Sequence, residues 1–269
     1  MKLKDKAIFK FRRNYYGRKL KKYISVRDNS CKAFEEIISK YRNDNCFIHG
    51  GYSSIKRFFQ KSGGIDTLIR ILDDNFKNIL SPAYTLTFKQ HGVYHYKYSK
   101  PDIGYFGVVF GAYSNFRTLD PIGSVWVRGC LNKTDLDLKN SFFAKNGIYG
   151  CIDNKKSLTI CLGTDTVMLS LLHYLEQKFQ LPYRHKLVYK GIVYYDDSTF
   201  EHVEHKTTEN IKVLQVERER IEYDMLKEGV MQRYDFGDFS IRVFNNQDFS
   251  DFIERKTFKN PYYLFYEKK

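Results

Sequence analysis

Apolar residues recur at helical spacing most plainly over 165–190, DTVMLSLLHYLEQKFQLPYRHKLVYK, where Met168, Leu171, Leu172, Leu175 and Phe179 form one stripe. Thr164 or Asp165 is placed to cap the start, since a short oxygen-bearing side chain accepts from a free backbone N–H. Leu181-Pro182 marks the end, because proline disfavours helical geometry in the residue before it. Residues 29–41 (NSCKAFEEIISKY) and 63–76 (GGIDTLIRILDDNF) read as two further amphipathic helices. Short, continuously apolar runs lie between the helical stretches: 46–49 (CFIH), 79–88 with a break at Pro82, 124–127 and 158–162 (LTICL). Helices alternating with such runs predict a layered α/β architecture. Beyond residue 186 the pattern shifts to strands over 187–195 and 239–244, with a charged helical segment around 217–228. No repeat or low-complexity stretch divides the chain.

Charge changes the picture at one end. The 269 residues carry a formal net charge of +14, and residues 1–22 hold ten Lys and Arg against the single Asp5. Phe9, Phe11, Tyr15, Tyr16 and Leu20 interleave with those cations, as in a segment lying on an anionic membrane surface or as in a solvated terminus. With the excess concentrated there, overall charge gives little reason to expect a nucleic-acid partner. No run of about 18 apolar residues and no apolar leader is present, so a cytoplasmic protein is expected, peripheral at the inner face of the membrane if the basic segment docks there. Cys31, Cys46, Cys130, Cys151 and Cys161 are odd in number and never at C-x-x-C spacing, which suggests neither a disulfide framework nor a zinc site. His91, His95 and His185 lack a companion ligand at metal-binding spacing, so no metal is expected.

Two places carry candidate chemistry. His173 and Glu176 are three apart and project from one flank of the predicted helix, where spacing alone favours a boundary histidine paired with a surface glutamate over a base and the carboxylate fixing its tautomer. The run Gly50, Gly51, Tyr52, Ser53 and Ser54 turns from strand to helix and would present free N–H groups to an anionic or carbonyl ligand. Dinucleotide and P-loop fingerprints are absent.

Six short motifs, in order, now resemble the aminoglycoside 3-N-acetyltransferase-like family, the antibiotic acetyltransferases. His49-Gly50-Gly51-Tyr52-Ser53-Ser54-Ile55-Lys56 is similar to the family's H-S-S-L-S-S-L-G. Pro82-Ala83-Tyr84-Thr85 resembles P-T-x-T, and Lys100-Pro101-Asp102-Ile103-Gly104 resembles T-P-S-x-x-G. Arg117-Thr118-Leu119-Asp120-Pro121-Ile122-Gly123-Ser124 resembles R-S-x-H/D-P-x-x-S. Ser141-Phe142-Phe143 is similar to S-F-G. Leu172-His173-Tyr174-Leu175-Glu176 with Pro182-Tyr183-Arg184 matches L-H-x-x-E followed by P-Y-R. The likeness spans roughly 27–269. Gly50 and Gly51 replace two serines, Lys56 the closing glycine, and Asp120 a frequent histidine.

The resemblance implies a three-layer α/β sandwich around a central mixed sheet, distinct from the GNAT acetyltransferases, with a carboxyl-terminal strand and helix extension. It implies a single domain over 27–269 preceded by a basic arm over 1–26. It implies an acyl-CoA-dependent acyltransferase that takes acetyl-CoA or another acyl-CoA. His173 would be the base, Glu176 its orienting carboxylate, and Asp120 the partner of the acceptor ammonium or of the histidine network. His49, Gly50, Gly51, Tyr52, Ser53, Ser54, Thr85 and Ser124 would line the cofactor, and Tyr183 and Arg184 the acceptor. With Asp120 in the sugar-pathway pattern, the expected acceptor is an amino sugar, nucleotide- or lipid-linked, in surface polysaccharide synthesis. The alternatives are aminoglycoside 3-N-acetylation and a non-catalytic protein binding polyanions or membranes.

Overall fold

The computed structural model describes residues 3–131, 143–210 and 215–265, with side chains from residue 10 onward. Its strands are β1 (Ile24–Val26), β2 (Asn43–Gly50), β3 (Phe76–Pro82), β4 (Val93–His95), β5 (Phe116–Arg117), β6 (Val125–Gly129), β7 (Ser157–Leu162), β8 (Arg184–Tyr194), β9 (Phe200–Asn210), β10 (Met231–Phe236) and β11 (Phe239–Asn245). Its helices are α1 (Leu3–Leu20), α2 (Cys31–Ile38), α3 (Tyr52–Phe59), α4 (Ile65–Asp73), α5 (Phe88–His91), α6 (Tyr105–Phe110), α7 (Ile148–Ile152), α8 (Ser170–Lys178), α9 (Arg218–Lys227) and α10 (Asn246–Lys259).

The described strands form an eight-stranded mixed sheet in the order β1-β10-β11-β7-β2-β3-β6-β5 and a three-stranded sheet β4-β8-β9. At the centre, β2 runs parallel to both β7 and β3. All six residues of β7 are buried, as a strand covered on both faces requires. Its neighbour β2 divides its side chains in the period of two. Cys46 and Ile48 join a core with α2, α3, α4 and α6, whereas Phe47 joins a second core with α7, α8, α9 and α10. The helix after β2 therefore packs on one face and the helix after β7 on the other. Loops that part to opposite faces above adjacent parallel strands open a crevice at their carboxyl ends.

Helix α8 begins at Ser170, later than the apolar stripe predicts, and Leu169 makes no side-chain cap. The reason is tertiary. Arg242 donates to the carbonyls of Thr164 and Asp165 at 2.8 and 3.1 Å, and the Glu222 carboxylate takes the Val167 N–H at 3.0 Å. Those bonds hold the segment after β7 in an irregular path. At the far end, Gln180 adopts φ 51°, and the Leu181 N–H returns to the Glu176 carbonyl at 3.0 Å.

The basic amino-terminal stretch is helical from Leu3 and docked on α9. Arg12 pairs with Glu217 at 2.6 Å and Arg13 with Glu219 at 3.0 Å, Tyr16 packs on Tyr223, and Leu20 enters the core. Among the described residues no helix is long and apolar enough to cross a membrane.

Candidate active site

Helix α8 sets His173 and Glu176 at the spacing the sequence predicts. The Glu176 carboxylate lies 2.9 Å from His173 Nδ1, with the imidazole side chain 47% exposed and the carboxylate 1%. A carboxylate only accepts, so Nδ1 carries the proton of the neutral ring and Nε2 presents its lone pair. Arg184 Nη1 stands 3.4 Å from the same Glu176 oxygen and supplies a buried counter-charge. Phe143 closes one side, 6.3 Å from the His173 ring and beneath the Arg184 guanidinium at 5.6 Å. Ser141 and Phe142, its companions in the sequence motif, lie outside the described residues.

Tyr183 and Arg184, expected to contact the acceptor, stand behind Glu176. Arg184 also reaches β9, where Nη1 donates to Asn210 Oδ1 at 3.2 Å and Nη2 to Thr208 Oγ1 at 2.9 Å. The Tyr183 hydroxyl is pushed up by burial and by the Glu176 carboxylate beside it. Arg184 thus holds the carboxylate that holds the histidine.

Asp120 is 2% exposed. Its Oδ1 accepts from the N–H groups of Ile122 and Gly123 at 2.9 and 2.6 Å, while Oδ2 lies 3.7 Å from His205 Nε2 on β9. The sequence offered no sign of His205, because β9 alternates polar residues without an apolar face. Tyr84 and Tyr149 share a hydroxyl–hydroxyl hydrogen bond. Both phenols are raised chiefly by burial, Tyr84 to about 12; both meet the Ser170 hydroxyl and sense the Asp120 charge. Ser170, the first residue of α8, lies beside both phenols.

The strand-turn-helix element 49–54 occupies the crevice above β2 and β7. Its glycines are explained by packing. A Cβ on Gly51 would stand 2.2 Å from the Gly163 carbonyl oxygen, and one on Gly50 would stand 2.4 Å from the Phe106 ring. Serine hydroxyls have no room at either position. The Gly51 N–H is already spent on the Leu162 carbonyl at 2.8 Å, so Tyr52 and Ser53 provide the donors at the first turn of α3. Tyr52 leans edge-on against Tyr105 at 5.0 Å, and Ser54 abuts Gly163. His49 is buried, with its base strength lowered to a pKa of about 3 by burial and, second, by Arg218.

Thr85 and Ser124 have another occupation. Thr85 Oγ1 donates to the Pro121 carbonyl at 2.9 Å, and Ser124 Oγ donates to the Ala83 carbonyl at 2.7 Å while accepting from Arg117 Nε at 2.9 Å. Arg117 is fully buried and knits the 82–85 and 117–124 loops together. Both hydroxyls, expected against a cofactor, also accept from the buried guanidinium. A separate cleft of about 770 Å³ lies between α1 and the 165–166 loop, with Arg18, Lys21 and Arg233 facing Asp165 and Glu222.

A mixed-sheet α/β fold that sets a carboxylate-oriented histidine on the helix leaving a switch-point crevice has the parts of an acid–base transferase. The model of the aminoglycoside 3-N-acetyltransferase family matches residues 47–257, and the chain belongs to that family. It is thus an acyl-CoA-dependent N-acetyltransferase by class. Solved structures agree in fold. AAC-IIIb in binary complex with CoASH is similar at TM-score 0.70 and 14% identity over 91% of this chain and 100% of that one. The YokD protein of Bacillus subtilis is similar at 0.64 and 17% over 90% and 98%. Aminoglycoside acetyltransferase AAC(3)-Xa is similar at 0.65 and 15% over 93% and 98%. No match was found among curated proteins.

Proposed function

We propose that the protein transfers an acetyl group from acetyl-CoA to an amino group of an aminoglycoside-type sugar. The observation that carries this is the His173–Glu176 pair at 2.9 Å, set on α8 in a chain of that family. Aminoglycoside complexes among the similar structures, with sisomicin, apramycin and a gentamicin, favour this acceptor over the amino sugars of surface polysaccharide synthesis.

When bound, acetyl-CoA supplies the acyl group as an activated thioester. The close-packed turn at Gly50, Gly51 and Gly163, where a Cβ would fill the space, suits a backbone-lined seat for its pantetheine arm. His49, Tyr52, Ser53 and Ser54 complete that seat. His173 Nε2 takes the proton from the acceptor nitrogen as that nitrogen attacks, and returns it to the departing sulfur. Glu176 stabilises the imidazolium in between. The N–H groups of Tyr52 and Ser53 are the donors available to a developing oxyanion. Asp120 receives an ammonium of the acceptor.

For α1, the exposure of Phe11 and Tyr15 beside Lys10 and Arg18 favours a second, anionic-lipid partner. Flotation with phosphatidylserine vesicles, with and without residues 1–22, tests it.

The function is tested by mass spectrometry of aminoglycosides and nucleotide-linked amino sugars incubated with acetyl-CoA. A mono-acetylated aminoglycoside is expected. Products confined to the nucleotide-linked sugars would return the acceptor to polysaccharide chemistry, and no acetylated product at all would end the proposal.

A further inference from the structure

Among the described residues, the carboxylate that orients His173 is engaged through one oxygen. Glu176 Oε2 faces both His173 Nδ1 at 2.9 Å and Arg184 Nη1 at 3.4 Å. Glu176 Oε1 is buried and has no hydrogen-bond partner among those residues. The Tyr183 hydroxyl is in the same condition: the residue is 2% exposed, and its phenolic oxygen is buried without a partner among them. The turn that leaves α8 brings the two together. The Leu181 N–H returns to the Glu176 carbonyl and the Arg184 N–H to the Leu181 carbonyl at 3.1 Å, which carries Tyr183 back beside the carboxylate. Phe265 stands edge-on to the phenol ring at 4.7 Å and Tyr262 tilts against it at 5.6 Å, so the ring is held in place. Burial raises the phenol first and the Glu176 charge next, so the hydroxyl keeps its proton and meets a carboxylate as a donor. Native structures leave few buried polar groups unpaired, and here a buried donor and a buried acceptor without partners are neighbours.

We propose that Tyr183 is a positioning residue for the base: its O–H donates to Glu176 Oε1 and so keeps Oε2 turned to His173 Nδ1. The terminal torsion of a glutamate is broad, and a carboxylate held at both oxygens swings less than one held at a single oxygen. Tyr183 thus acts on the rate, through Glu176 and His173, and touches neither substrate. The inference rests on the reading of His173 as the base.

Steady-state kinetics of the full chain with one aminoglycoside and acetyl-CoA, joined to urea unfolding, test this. Tyr183→Phe keeps the ring and removes the donor. Its kcat should fall about tenfold or more, the worth of a hydrogen bond to a charged group, with the KM for each substrate unmoved. In a His173→Ala background the same change should cost no further rate. The urea midpoint should fall as well, because Glu176 Oε1 then loses its donor, whereas a hydroxyl that had no partner would be removed at no cost. An unchanged kcat, a raised acceptor KM, an equal rate loss in the His173→Ala background or an unmoved urea midpoint overturns the proposal. Should Tyr183→Phe fail to fold, Tyr183→Met makes the same deletion of the donor. An active wild type that is indifferent to Tyr183 overturns this inference alone, whereas a wild type without transfer activity overturns the proposed function with it.

Discussion

Replacing His173 by alanine separates catalysis from stability more cleanly than any other change in this site. The imidazole side chain is 47% exposed, and Glu176 is its partner in the ion pair. Removing it uncovers no core, and Glu176 keeps the Arg184 guanidinium at 3.4 Å, so its buried charge stays compensated. With the imidazole half-exposed and Arg184 still at the carboxylate, the loss is about 1 kcal/mol. For a domain of this size that is a shift in Tm of no more than about 4 °C. The rate should respond on another scale, since a positioned general base supplies about 10²–10⁴-fold. The expected result is a kcat lower by that factor, with acetyl-CoA affinity unchanged by calorimetry and thermal unfolding close to wild type. Raising the pH should recover part of the rate, because more of the acceptor amine then arrives without its proton. Near wild-type turnover at neutral pH would take the histidine out of the mechanism, and a collapse of Tm would show that the side chain had a structural role instead.

Glu176→Leu should cost about 3–5 kcal/mol, because Arg184 is left buried without its counter-charge; urea unfolding reads this, and a loss below about 1 kcal/mol contradicts the buried pair. Gly51→Ala should destabilise by about 1–3 kcal/mol and weaken CoA binding in calorimetry, since its Cβ would meet the Gly163 carbonyl at 2.2 Å; unchanged affinity removes this turn from the cofactor seat. His49 is held neutral well below its ordinary value, with a folded pKa of about 3 against 6.5, so only the unfolded chain takes up its proton in that interval. Its contribution is complete above pH 6.5 and is lost as the pH falls toward 3, so His49→Gln should flatten that fall in urea-unfolding stability.

How far the sequence could be read depended on whether a residue's partners were local. His173 and Glu176 sit one turn apart on one helix, so spacing alone brought them together. Asp120 was legible as a motif residue, but its pairing with His205 depends on β9 folding over the 117–124 loop. The stretch FEHVEHKTTEN has no apolar face to announce a strand. For Thr85 and Ser124, nothing in the neighbouring sequence signals that Arg117 is buried and donates to both hydroxyls. The start of α8 was misjudged for a similar reason. Arg242 and Glu222 reach it from distant elements and outweigh local helical preference. Gly50 and Gly51 read as missing hydroxyls in the sequence; in the fold they mark two close backbone and ring approaches.

The strand order has a consequence for how this molecule behaves toward its own copies. Open sheets invite pairing by another chain along their edges. Among the described residues the large sheet ends in β1, three residues long, and in β5, two residues long. Neither offers a run of free amides long enough to template a neighbour. The stretch matched by the family model begins at residue 47, and β1 lies before it, laid parallel against β10 and followed in the sheet by β11. A chain trimmed to the matched stretch would bare the six-residue edge of β10 and, with α1 gone, the face of α9. The amino-terminal residues would then be guarding solubility, a service that no assay of acetyl transfer would register.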